Sequence, residues 1–196
     1  MLSGIVSLAV AKEVASAQLS AQKTADEYYR SNANYTISYD ISTRGAVQGD
    51  IEEFRRIVAE VYADERGWLR AGVKMEEVES GAQAHVILAS GEEVKKASPT
   101  VCSDELSCQV GQLILINDKR WMNASDSYNA LGVSLLDYRR MVVNHEMGHY
   151  LGHPHIIECE TATGLGPIML QQSTGLRGCK ANPWPLPSEL WVRGIK

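Results

Sequence analysis

The chain has 196 residues, 44% of them hydrophobic and 22% charged, with a formal net charge of -5, an ordinary acidic composition long enough for one well-buried domain. No basic run, basic aromatic face or glycine-rich phosphate loop points to nucleic acid, and no apolar stretch approaches the ~20 residues that cross a bilayer. The expectation is a monomer with no nucleic-acid partner and no membrane span in its domain.

Residues 1–33 differ in character from the rest of the chain. Met1 to Ala11 is a short apolar run, and Ala15-Ser16-Ala17 supplies small residues of the kind that precede a signal-peptide cleavage site. The basic start of a signal is missing, since Lys12 and Glu13 come after the apolar run, so a truncated signal or anchor and a plain surface helix both stay open. Alanine, glutamine, lysine and glutamate then continue to Arg30 as a helical stalk with little to bury. A single domain is expected over 34–196, its upper part running to about residue 152 and its lower part over 153–196.

Within that domain Tyr35 to Ile41 alternates as a strand, with Tyr35, Ile37 and Tyr39 on one side. Asp50 is a good N-cap for a helix through Ala63, whose Ile51, Phe54, Ile57, Val58 and Val61 form an apolar stripe. Val73–Val78, Ala84–Ala89 and Gln112–Asn117 read as strands, the second a nearly continuous apolar run suited to a sheet interior. Ser134 caps a long helix that turns Val143, Met147 and Leu151 to the core. Gly148, in the middle of that helix, predicts the close approach of a neighbouring backbone. Beyond residue 155, Pro167, Pro183, Pro185 and Pro187 forbid long helices. The pattern predicts an α/β (α+β) layer carrying one long helix beneath its sheet.

That helix carries the chemistry. Residues 145 to 155 read His145-Glu146-Met147-Gly148-His149-Tyr150-Leu151-Gly152-His153-Pro154-His155, four of the chain's five histidines in one window. A string H-E-x-x-H-x-x-G-x-x-H arises by chance in about one chain in a hundred thousand of this length. His145 and His149 differ in direction by only about 40° on a helix, so one ion can bridge them. Glu146 stands about 100° round, able to reach a water on that ion without being a ligand. Gly152 ends the helix in the left-handed conformation and lets His155 return as a third nitrogen; His153 is the competing candidate, disfavoured by Gly152 and Pro154. Three neutral imidazoles and one water describe an open catalytic site for a single Zn2+. Downstream, the Gly166-Pro167 turn precedes Met169, whose thioether could floor the histidines. His85 reads as a core or surface histidine, and Trp121, Trp184 and Trp191 as packing residues.

Cys102, Cys108, Cys159 and Cys179 are an even number with no C-x-x-C pair, and read as two disulfides rather than a second zinc site. Three connectivities are possible. The local one, Cys102 with Cys108 and Cys159 with Cys179, closes two short loops and brackets Met169. Disulfides imply an oxidising location, hence an extracellular or cell-surface protein.

The eleven-residue string resembles the zinc-binding consensus of the metzincin metalloproteases, whose second mark is a methionine in a tight turn under the metal. From Tyr35 to Pro185 the chain also resembles a family of secreted actinobacterial metzincin-like peptidases, through Val142 to His155, Cys159, Ile168 to Gln172, Gly175 to Cys179 and Asn182 to Pro185. The resemblance implies a twisted mixed sheet, a long active-site helix and a small irregular C-terminal subdomain. It implies His145, His149 and His155 as ligands, Glu146 as base and Met169 as the turn methionine. Some metzincins place a tyrosine two residues after that methionine; here Gln171 stands there. The expected function is a zinc endopeptidase acting on protein or peptide substrates. The alternatives are a secreted, non-catalytic module that keeps zinc for stability and a zinc amidase acting on cell-wall peptides.

Overall fold

The computed structural model describes residues 33–192 and, before them, residues 12–14, 16, 17 and 20. The expected apolar run over 1–11 and most of the stalk to Arg30 lie outside the described residues. The fold is α+β, built on a five-stranded mixed sheet.

Strand β1 (Tyr35–Arg44) is the longest and sits next to one edge of the sheet. Its first half pairs in parallel with β2 (Val73–Glu77), its second half with β3 (Ala84–Ala89). Strand β5 (Leu113–Asn117) continues in parallel beyond β3, and β4 (Cys108–Val110) closes the order β2-β1-β3-β5-β4 as an antiparallel edge. Ile37 and Tyr39 are buried as their alternation predicts, but Tyr35 stands exposed at the strand's start. The nearly continuous apolar run of β3 has its cause in two covered faces. Val86 and Leu88 join the main core, while Ile87 and Ala89 meet Val94, Leu115 and the Cys102–Cys108 pair on the other side.

Helix α1 (Ile51–Ala63) starts where the Asp50 carboxylate accepts the Glu53 N–H at 2.8 Å, and it buries Phe54, Ile57, Val58, Val61 and Tyr62. Short helices α2 (Gly91–Ala97), α3 (Asp118–Asn123) and α4 (Asp126–Asn129) and a 3-10 turn at Trp68–Ala71 have no counterpart among the sequence expectations. Each is too short to display a hydrophobic period. Helix α5 (Leu135–Tyr150) begins at Ser134, whose hydroxyl accepts the Asp137 N–H at 3.0 Å. It has no single apolar face because it is enclosed: every residue from Tyr138 to Gly148 except Arg140 is buried.

After α5 the chain is irregular, with one 3-10 turn at Pro187–Glu189. Side-chain amides take the place of a backbone ladder there. Gln172 donates to the carbonyls of Pro167 and Asn182, and Asn182 donates to those of Gly166 and Trp184. The disulfides are Cys102–Cys108 and Cys159–Cys179, the local connectivity. The second links residues 20 apart around Met169 and is worth about 3 kcal/mol by loop closure. Peptide mapping without reductant is expected to recover both links, and replacing Cys159 and Cys179 together by alanine to lower unfolding stability by about that amount in a denaturant titration.

Candidate metal centre

Helix α5 sets His145 and His149 one turn apart, with ring centroids 4.8 Å from each other and planes almost perpendicular. The helix then stops through a paired backbone motif: Gly152, at φ 94°, donates its N–H to the His149 carbonyl, and His153 donates to that of Gly148, both at 3.0 Å. The reversal brings His155 back. Its ring lies 4.6 Å from that of His149 and 5.4 Å from that of His145, with the two Nε2 atoms of His149 and His155 only 3.0 Å apart. One nitrogen from each of the three histidines lies within 4.8 Å of the others, a group able to hold a metal ion. His153 goes elsewhere. Its ring is enclosed between Trp68 and Trp191, and its Nε2 donates to the Trp191 carbonyl at 2.7 Å.

Two of the rings are held from behind. His145 Nδ1 donates to the Ile168 carbonyl at 2.7 Å, and His149 Nδ1 donates to the His153 carbonyl at 2.9 Å. Both bonds place the proton on Nδ1 and leave Nε2 as the donor atom for a cation. Burial pushes the His145 pKa down to about 3, helped by the neighbouring His149, and lowers those of His149 and His155 as well. Each shift favours the neutral ring that ligation demands.

Glu146 points into the same space. It is 5% exposed, and its Oε2 has no hydrogen-bond partner among the described residues. Burial pushes its carboxyl up to about 8, while a backbone hydrogen bond from Gln109 pulls it down. A buried carboxylate oxygen with no donor is costly, and a nearby cation would relieve that cost by favouring the charged form. The three-nitrogen group and this orphaned oxygen together fit a bound cation with a water beside it.

Met169 is wholly buried beneath the helix. A Cβ added to Gly148 would come within 2.3 Å of the Met169 Sδ and 2.9 Å of a Trp68 ring carbon. The close approach expected at Gly148 is therefore that of two side chains rather than a backbone. The thioether lies where no other residue type on the helix would let it lie.

A cleft of about 260 Å³ opens over the three histidines and Glu146, between α5, the Val101–Gln109 segment and the chain after Met169. Its walls bring in residues that the sequence did not tie to the histidines: Gln109 on the edge strand, and the Cys102–Cys108 disulfide itself. Gln171 also lines it. The remaining aromatic and histidine assignments resolve as packing. His85 pairs with Asp40 at 2.9 Å out on the sheet, Trp121 is buried, and Trp184 lies under the Arg66 guanidinium at 4.3 Å. Trp191 covers His153 with its centroid 3.7 Å away.

The profile of one protein family matches residues 12–182. The chain belongs to that family, described as Protein of unknown function (DUF3152). The matched stretch takes in all three histidines, Glu146, Met169 and both disulfides. Comparison with curated proteins and with solved structures finds no match.

Two measurements check this geometry. Gly148→Ala would gain about 1 kcal/mol in an isolated helix, but here the new methyl meets the Met169 sulfur, so a net loss of about 1–3 kcal/mol is expected by chemical denaturation. Depressed imidazole pKa values mean that protons compete for the three rings only in acid, whereas Glu146, raised to about 8, must release its proton when a cation binds beside it. The affinity of chelator-stripped protein for zinc, measured by competition titration, should therefore fall shallowly as pH drops below about 8 and more steeply only in acid, below the ordinary imidazole range, and the shallow part should vanish in Glu146→Gln.

Proposed function

We propose that the protein is a zinc-dependent endopeptidase, exported to an oxidising compartment. The observation that carries the reading is the convergence of three neutral imidazole nitrogens with the unpartnered Oε2 of Glu146 in one cleft. Resemblance of the His145–His155 string to the metzincin consensus, with Met169 seated against Gly148, supports the same class. Two disulfides fit the compartment.

Imidazole donors and an open position favour zinc, which when bound supplies Lewis acidity that makes water a nucleophile near neutral pH. The rest is work for the chain's own groups. Glu146, with an unpartnered oxygen in the cleft, takes the proton from the attacking water and returns it to the leaving amine. Its pKa, raised by burial, suits a group that must both accept and release a proton. The Nδ1 hydrogen bonds of His145 and His149 keep both rings in one tautomer through the cycle. Strand β4 ends the sheet at the cleft wall, and an extended peptide laid along that edge would have its backbone aligned over Glu146 without demanding a particular sequence.

Metal analysis combined with digestion of an unstructured protein tests the proposal. About one zinc per chain is expected, with cleavage abolished by chelator. Glu146→Ala should retain the metal and lose roughly 10²–10⁴ in rate, whereas His145→Ala and His149→Ala should lose metal and activity together. A Glu146→Ala variant that cleaves like the parent would remove the base from the mechanism, and a zinc-loaded parent that cleaves nothing would favour the binding-module alternative.

A further inference from the structure

Glu189 is completely buried, although it belongs to an irregular C-terminal stretch rich in proline. Its carboxylate accepts three backbone N–H groups: that of Met169 on Oε1 at 2.9 Å, and those of Ile168 and Leu186 on Oε2 at 2.9 and 2.8 Å. Burial pushes its carboxyl up from the usual range, and the three N–H bonds pull it back. Holding a turn does not require this. A few residues away, Gln172 and Asn182 tie the same region together with neutral amides, at lower desolvation cost. A charged group at position 189 calls for a further reason.

The Ile168–Met169 peptide supplies one. Its N–H donates to Glu189 Oε1, and its carbonyl accepts from His145 Nδ1 at 2.7 Å. The N–H and C=O of a trans amide point in opposite directions, so one peptide group stands between the carboxylate and the imidazole. Hydrogen bonds in such a chain polarise one another, and a negative charge at the far end makes the carbonyl a better acceptor. His149 has no counterpart, because the carbonyl it uses belongs to the His153–Pro154 peptide, which carries no N–H.

We propose that Glu189 is a positioning residue of the metal centre: through the Ile168–Met169 peptide its carboxylate holds His145 in the Nδ1–H tautomer and strengthens Nε2 as a donor to the cation. The assignment rests on the metal-binding reading of His145, His149 and His155. It adds to the site a residue that touches neither cation nor substrate and lies beyond the stretch matched by the family profile.

The test uses zinc itself and the full chain. Glu189→Gln and Glu189→Asp are compared with Arg70→Ala, which removes another anchor of the same C-terminal stretch, the bond from Arg70 to the Pro185 carbonyl, without a route to a ligand. Zinc affinity by chelator competition should fall roughly ten- to hundredfold in Glu189→Gln, less in Glu189→Asp, and less than twofold in Arg70→Ala. Thermal melting of the metal-free forms reports stability separately. In metal-free protein, long-range 1H–15N spectra should show His145 as the Nδ1–H tautomer in the parent and as a mixture in Glu189→Gln. If Glu189→Gln does not fold, Glu189→Asp must still bind zinc more weakly than the parent. Parental affinity and an unchanged His145 tautomer in whichever variant folds would overturn the assignment. A parent that binds no zinc while the tautomer still shifts would overturn the metal reading, and the assignment through it, by a distinct result.

Discussion

The hydrogen bond from His145 to the Ile168 carbonyl joins the two halves of the molecule at the point where their chemistry meets. On one side is a helix enclosed along most of its length, which cannot turn without disturbing the sheet and α1 packed against it. On the other is a stretch with almost no regular structure, held by amide side chains, one disulfide and one buried carboxylate. The orientation of the first ligand ring is thus set by a segment twenty-three residues away. Gly148 permits this contact, since only a bare helix surface lets Met169 come close enough to bring the Ile168 carbonyl under the ring.

The same junction accounts for the electrostatics of the cleft. His145 and Glu146 are adjacent in sequence and both buried, and burial moves their pKa values in opposite directions, so both groups favour the neutral form when no cation is near. A cation shifts the balance toward an ionised Glu146. Protonation of the base and occupancy of the ligand group are therefore linked through the burial they share.

Where a segment carries its own period or punctuation, its structure could be read from the sequence. The stripe of α1, the Asp50 and Ser134 caps, the strands β1, β3 and β5 and the stop at Gly152 all depend on neighbours within a few residues. The elements that escaped are those whose existence depends on distant partners. Strand β4 is three residues long and is a strand because β5 pairs with it and Cys102 ties its first residue. Trp68 belongs to the site's surroundings because its indole donates to the Asn144 carbonyl on α5, a contact across 76 positions. Glu189 had no signal at all, since nothing near it in the chain distinguishes it from a surface glutamate.

By itself the sequence determined that His145 and His149 share a face, that Glu146 lies beside them and that the helix ends in time for a third histidine to return, because helical pitch and glycine's freedom are local properties of the backbone. It also made two disulfides the natural reading of four cysteines. The destination of each histidine was a tertiary matter. His153 and His155 both lie within three residues of Gly152, and one is captured by Trp68 and Trp191 while the other reaches the cleft, a division made by aromatic surfaces more than thirty residues away along the chain. Packing likewise decided that Met169 meets a glycine and that Gln109, the Cys102–Cys108 disulfide and Glu189 belong to the neighbourhood of the site, because such contacts exist only once the sheet edge, the helix and the C-terminal stretch exclude water from the space between them.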